Sequence, residues 1–562
     1  MLSGWTIFDK KLCSNREHLN KFSSTKLHRF VEVIMMEMVD FEKNDNKLES
    51  KDDVSLEHSS IYAESDLMQD MNIQLNDAIL SNKMKLINNA LDQIGFTPYH
   101  LKLFFLSGMG YATDTQLTYI ESNVRTFVNA QFGYDFPVSA ITYGVGMCLG
   151  AIVWGLSGDL IGRRLAFNLS LLLSAIFTIM CGMMGTFASY NLFIILISFA
   201  AGGNLVLDTC VFLEFLAHKD QWLLTFFALF WGVGQTIAVL VSYAFLPNYS
   251  CTVDENTTPA TCPSHENKGW RYVFYVNGSI VLVLAVLRLT VIRLTETPKF
   301  LVANNRDAEA VRNLQNLAEK YNRKCDLSLE DLQNCGTITS NHDYREKRDF
   351  TGISKLVKSH ISILFSNKKV ARSSILLFIS WFGLGIAYPL YSSFLPVYLA
   401  TRGASISAPD TQGVYRDNLI SNVSSIGGPM IAGLLLYYVP ILGRRGVLCI
   451  GGLSTMAFLF GFTQVKTRSQ MVAMTSCVYV TLYIYYGVIY AYTPEVMPSV
   501  ARATGNALCL LCTRIATVIV PIIAYFANTS TAVPIWVCGA CVGLIGLIAL
   551  FFPFEPSKQR VI

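Results

Sequence analysis

Charge is scarce in this sequence. Charged side chains make up 15% of 562 residues and hydrophobic ones 52%, against roughly 25% charged in an average soluble domain. A soluble enzyme is excluded by that balance. Single water-facing cores stop growing at about 250 to 300 residues, so a mean hydropathy of +0.39 over 62.5 kDa needs a bilayer to hold it. Long basic runs are also missing: net charge is only +4 and apolar stretches interrupt the basic clusters, so nucleic acid is not an expected partner. No G-x-x-x-x-G-K-[ST] pattern is present, which leaves nucleotide drive without a site, and no cofactor or metal motif stands out. Residues 1–98 lack an apolar run of spanning length and carry sixteen Asp/Glu against eleven Lys/Arg. They read as a polar tail rather than a signal peptide, with Met35 or Met36 as alternative starts.

What is abundant is apolar sequence of membrane length. Twelve such runs are centred near 112, 147, 176, 202, 233, 282, 386, 429, 456, 482, 514 and 543, each able to cross about 30 Å of hydrocarbon as a helix. The expected fold is therefore an all-α membrane protein of two six-helix halves, 99–293 and 373–553. The tail 1–98 precedes them, a polar helical loop 294–372 joins them, and 554–562 is a short second tail. With both termini in the cytosol, basic residues near the spans number fourteen inside against seven outside. Spaced by three to five, Ile79, Met84, Ile87, Leu91 and Ile94 predict an amphipathic helix near 79–95, expected on the inner membrane surface. Ala308, Val311, Leu314, Leu317 and Ala318 predict another in the loop.

The halves repeat. Gly162-Arg163-Arg164 follows the second span and Gly443-Arg444-Arg445 the eighth; Glu214 ends the fourth and Glu495 the tenth. Both offsets are 281 residues, as expected of a transporter built from two like bundles. Most of the fourteen cysteines lie in apolar or cytosolic-looking sequence and read as small hydrophobes. Cys251 and Cys262, however, bracket a polar loop with sequons at Asn248 and Asn256, a combination that predicts a non-cytosolic loop, glycosylation and a disulfide.

Gly155-Leu-Ser-Gly158-Asp159-Leu-Ile-Gly162-Arg163-Arg164 has a G-x-x-x-D-x-x-G-R-R spacing suited to a tight turn with charges bridging helix ends. With Glu296-Thr-Pro298-Lys299 after span six and Pro494-Glu495-Val-Met-Pro498-Ser-Val-Ala-Arg502-Ala-Thr-Gly505 after span ten, the chain resembles the major facilitator superfamily over about residues 90–556. Gly202-Gly203-Asn204-Leu-Val-Leu-Asp208, followed by Glu214-Phe215, and Gly108-Met-Gly110-Tyr-Ala-Thr-Asp114 look like the synaptic-vesicle-glycoprotein-related branch, beside the sugar porters and organic ion carriers. A typical glucose carrier is a poorer match. Ile194 stands where sugar porters place an arginine, and span seven offers Tyr388, Tyr391 and Ser392 instead of Gln and Asn. The resemblance implies a cytosolic latch of Glu214, Glu296, Glu495, Arg163, Arg164, Arg444, Arg445 and Arg502 that closes and opens during alternating access.

Charges inside spans each cost about 2.5 to 3.5 kcal/mol on insertion scales and mark pathways or ion pairs. Asp114 and Glu121 share a face of span one, Arg514 sits mid-span in span eleven, and Asn204 and Asp208 share a face of span four. Asp114 is expected to carry a proton and Arg514 a solute anion, as the resemblance to organic anion carriers implies; the alternative is that Asp114 or Asp208 simply pairs with Arg514. Asn204 and Asp208 are expected to line the cavity, Asp208 at its cytosolic gate. Trp231 and Gln235 on span five and Tyr483, Tyr486 and Tyr490 on span ten form stripes that suit either packing or a binding wall. The functional expectation is a monomeric, proton-coupled secondary transporter of a small organic solute, an anion before a sugar or a cation, at the plasma membrane or in a secretory or vacuolar organelle. A transporter-like receptor is the reading from another class.

Overall fold

A computed structural model describes residues 78–134, 136–160, 162–251, 262–292, 294–336, 358, 361–402, 411–498, 501–526 and 533–555. Among them, ten helices are long and apolar enough to cross a membrane. After a preceding helix α1 (Ala78–Ile94), the first half comprises α2 (Pro98–Phe132), α3 (Val138–Leu160), α4 (Arg163–Cys181), α5 (Phe187–Ala201), α6 (Asn204–Phe215), α7 (Phe227–Tyr249) and α8 (Gly269–Leu287). A connecting segment holds α9 (Pro298–Ala303), α10 (Asp307–Lys320) and α11 (Leu329–Asn334). The second half comprises α12 (Lys368–Arg402), α13 (Thr411–Ser424), α14 (Gly427–Tyr438), α15 (Gly443–Phe462), α16 (Arg468–Val496), α17 (Arg502–Phe526) and α18 (Val533–Ile548). Counting α5 with α6 and α13 with α14 as single interrupted passages, the described helices make twelve passages. Helix α2 dilutes its hydropathy with Asp114, Gln116 and Glu121, yet its 35 residues reach about 52 Å at 1.5 Å per residue.

The outside of the bundle is apolar. Leu165, Leu169, Ile176 and Met180 on α4 and Ile515, Ile519, Ile522 and Ile523 on α17 are exposed at helical spacing, a belt for lipid rather than water. Inside, small residues let helices approach, as in other membrane bundles. A Cβ on Gly150 would meet the Phe199 carbonyl, and one on Gly203 the Trp154 ring, which lets α3 lie flush on the interrupted α5–α6 passage. At the end of α7, Cys251 and Cys262 form a disulfide. Asn248 there is exposed, while Asn256 lies outside the described residues.

Helix α1 corrects one expectation. Its apolar face does not lie on a membrane surface: Ile87, Ala90, Leu91 and Ile94 are buried against Leu301 and Val302 of α9 and Ala310, Val311 and Leu314 of α10. Each buried Ile, Leu or Val there contributes about 1.5 to 3 kcal/mol, and protein surface supplies the burial. Two polar contacts fix the register. Buried Lys83 reaches Asp307 at 2.5 Å, and the Gln93 amide both donates to the Asp326 carboxylate at 3.2 Å and accepts from its backbone N–H at 3.1 Å. The helical domain is thus assembled from both sides of the first half in sequence.

Candidate functional site

At the end of the bundle bearing the arginine motifs, each half repeats one construction. Gly162 (φ 104°) and Gly443 (φ 56°) occupy the left-handed region, where glycine carries no Cβ penalty, and turn the chain into α4 and α15. The exposed backbone N–H groups of each helix start then find a carboxylate. Arg163 and Arg164 donate to Glu296 at 3.2 and 2.8 Å; Arg444 and Arg445 donate to Glu555 at 2.9 and 3.3 Å. The first arginine of each motif also pairs with its half's glutamate: Arg163 with Glu214 at 3.2 Å and Arg444 with Glu495 at 2.5 Å. Arg444 additionally donates to Thr225 of the first half at 3.0 Å, so this end is tied across the halves. On α9, partly buried Lys299 has its pKa pushed down to about 8, by burial and then by the Arg502 guanidinium, with Glu214 and Asp92 opposing. Asp92 comes from α1, which therefore adds a charge to this cluster.

Midway through the bundle an ion pair crosses the halves. The Arg514 Nη2 of α17 lies 3.3 and 3.4 Å from the two carboxylate oxygens of Asp114 on α2, with Asp114 only 2% exposed. Around it the halves meet through aromatic rings and polar groups. The Trp231 ring of α7 packs edge-on against Tyr490 and Tyr486 of α16, at 4.7 and 5.1 Å between centroids, and Trp381 of α12 closes on Tyr490 at 4.5 Å. Gln235 donates to the Tyr483 hydroxyl, the Tyr119 and Tyr388 hydroxyls pair, and the Ser425 hydroxyl donates to Gln235 Oε1 at 3.5 Å. A buried charge pair at a seam between two like bundles, ringed by aromatics, can hold a small charged solute and can separate when the bundles move.

The sequence pattern of the Major Facilitator Superfamily matches residues 103–491. The chain belongs to the major facilitator superfamily. An uncharacterized MFS-type transporter of Schizosaccharomyces pombe is 36% identical over 85% of this chain and 89% of its own. MFS siderochrome iron transporter 1 of Ceriporiopsis subvermispora is 34% identical over 86% and 92%. Among solved structures, the Escherichia coli xylose transporter XylE in a partially occluded inward-open conformation has a TM-score of 0.59 at 15% identity, covering 83% of this chain and all of its own. That likeness shows the fold. As a major facilitator protein the chain is a multi-pass membrane transporter and not an enzyme.

Several charged residues face elsewhere than expected within this facilitator frame. Asp208 does not pair with Arg514. It binds Arg288 at 2.9 Å with both side chains almost fully buried, and Arg288 also donates to the carbonyls of Phe167 and Leu106 at 2.9 and 3.2 Å. Asn204 points into the same half, accepting from Ser170 at 2.6 Å. The reason is geometric: the face of α6 that carries both residues turns toward α4, Gly110 of α2 and Arg288 just past the end of α8. Glu121 is occupied by Arg125 one turn on, through bonds of 2.9 and 2.5 Å. Asp114, Arg514, Trp231, Gln235, Tyr388, Tyr483 and Tyr486 do come together at the seam. Gly155 reaches the opposite half, where a Cβ would lie 3.0 Å from that of Ala507, while the Asp159 and Ser392 side chains fall outside the described residues. The sequence reading missed Arg288, Glu555, Thr225 and Trp381. Glu555 had a signal: Glu-Pro after the last span of the second half mirrors Glu-Thr-Pro after the last span of the first.

Proposed function

We propose that the protein is a proton-coupled secondary transporter of a small organic anion, working by alternating access with Asp114 and Arg514 as the exchange point. The observation that carries this reading is the ion pair across the seam. Breaking a buried pair by removing one partner costs about 3 to 5 kcal/mol because a charge is left uncompensated. Alternating access must separate the halves, so Arg514 needs another anion and Asp114 another cation at that moment. A solute carboxylate on Arg514 and a proton on Asp114 meet both needs. The arginine-motif end, tied by Arg163, Arg444, Glu214 and Glu495, serves as the latch. Basic residues concentrated near that end support a cytosolic placement for it and for both termini, with Asn248 and the disulfide on the other side. The working unit in this reading is a monomer.

The test is ligand-induced thermal stabilisation of the purified protein against panels of organic carboxylates, sugars and organic cations at acid and neutral pH. Native-state binding raises stability by about 2.7 kcal/mol at a hundredfold excess over Kd. Carboxylate binding that disappears in Arg514→Ala and becomes pH-independent in Asp114→Asn is the expected result. Binding confined to sugars or cations overturns the anion reading, and silence across every panel favours a receptor-like role.

A further inference from the structure

The seam holds two donors without acceptors. Trp231 is 7% exposed, and its indole Nε1 has no hydrogen-bond partner among the described residues; the same is true of Arg514 Nε. Buried donors are nearly always satisfied, because leaving one bare forfeits its bonds to water with nothing in return. Two polar side chains nearby obey that rule: Trp381 Nε1 donates to Thr493 at 2.9 Å, and Gln235 is engaged by both Tyr483 and Ser425. Trp231 and Arg514 lie on opposite halves and meet the same stretch of α2: the Thr115 hydroxyl donates to the Trp231 carbonyl at 2.9 Å, and Asp114, one residue before it, pairs with Arg514 at 3.3 Å. Both bare donors therefore border one place.

The rings at that place have a further property. Trp231 belongs to the first half, and the two rings nearest to it, Tyr490 and Tyr486, to the second. Contacts inside one bundle persist through a transport cycle, whereas contacts across the seam must open. Each opening strips apolar ring surface that another apolar body can cover again, a flat aromatic one with the added gain of ring-on-ring packing.

We infer that the transported solute is a planar aromatic monocarboxylate with a hydrogen-bond acceptor in or on its ring. Its carboxylate sits on Arg514, its ring among Trp231, Tyr486 and Tyr490, and its ring acceptor receives the Trp231 indole N–H. This rests on the anion reading above and adds the shape and the second polar contact of the solute.

The experiment measures binding of benzoate, the three pyridinecarboxylate isomers, cyclohexanecarboxylate and lactate to the full-length protein, its Trp231→Phe variant and its Arg514→Ala variant. At least one pyridinecarboxylate is expected to bind about 3- to 10-fold more tightly than benzoate, the worth of one hydrogen bond. Trp231→Phe keeps a ring but removes the donor, so whatever it does to ring contact it should bring the ratio of pyridinecarboxylate to benzoate affinity down to about one. Lactate or cyclohexanecarboxylate binding as tightly as benzoate overturns the aromatic solute, and a preference that survives in Trp231→Phe overturns the indole contact. Should Trp231→Phe not fold, absence of any pyridinecarboxylate preference in the wild-type protein overturns the same contact. Carboxylate binding that persists in Arg514→Ala, or that is absent throughout, defeats the anion reading instead, a result separate from the other two.

Discussion

Among the described residues two aspartate–arginine pairs lie buried at membrane depth, and they differ in what they join. Asp208 and Arg288 connect passages four and six of one half at 2.9 Å, and the arginine also lies over the Phe167 ring, 3.8 Å from its centroid. Asp114 and Arg514 connect opposite halves at 3.3 Å, with few other ties. In the alternating-access cycle proposed above, the same chemistry is a staple inside one half and a switch across the seam, because only there does that cycle require separation.

The largest expected effect breaks the staple. Asp208→Asn leaves Arg288 charged and buried, and should cost about 3 to 5 kcal/mol, seen as a lower Tm and poor recovery in detergent. Replacing both residues with apolar ones, Asp208→Leu with Arg288→Met, should regain much of that loss; no recovery would mean that the carbonyl bonds of Arg288 matter more than its charge partner.

Asp114→Asn should lower Tm by less than half as much, since the seam can open and hydrate Arg514. Its effect belongs in the conformational balance, read as faster maleimide labelling of a cysteine placed at the seam, and in the pH dependence of uptake. A stability loss equal to that of Asp208→Asn would erase the distinction between staple and switch.

Smaller effects come from the helix starts. Glu296→Gln and Glu555→Gln each weaken a charge-assisted cap, and about 0.5 to 2 kcal/mol is expected for each. Equal losses in the two variants would show that the halves use the construction alike, whereas a loss in only one would break the repeat.

A last effect concerns pH. The Lys299 pKa in the fold, about 8, lies below its ordinary value, so between that value and the unfolded one the unfolded chain binds more protons and stability rises with pH. Below about pH 8 Lys299 is charged in both states and its burial cost is fully felt. Wild-type Tm should therefore climb as pH passes upward through about 8, and Lys299→Met should flatten that climb. An identical slope in the variant would assign the trend to other groups.

Much of the architecture was legible because membrane passages need long apolar runs, and ten of them stand out by hydropathy alone. The interrupted passage and the charged one were legible too, since Gly202-Gly203 and the isolated Asp114 sit inside otherwise apolar sequence. Equal spacing of the arginine motifs and their glutamates exposed the repeat. Arg288 escaped notice because, near the end of a span and close to Arg293, it resembles an interfacial anchor, and nothing local shows that it turns inward at a π-helical turn, Arg288–Ile292. Period alone likewise could not assign a partner to α1: an apolar stripe fits lipid and protein equally, and the choice fell to α9 and α10, more than 200 residues away.

The sequence by itself determined the number of passages, the two-fold repeat and which residue types lie at membrane depth, because hydrophobicity and spacing are properties of the chain. Which carboxylate faces which arginine was decided only by the tertiary structure. Asp114 and Asp208 are alike in sequence, each an acid in an apolar helix. Helix rotation sends one to the seam and the other into its own bundle, and rotation is set by side-chain packing between helices that no local pattern contains.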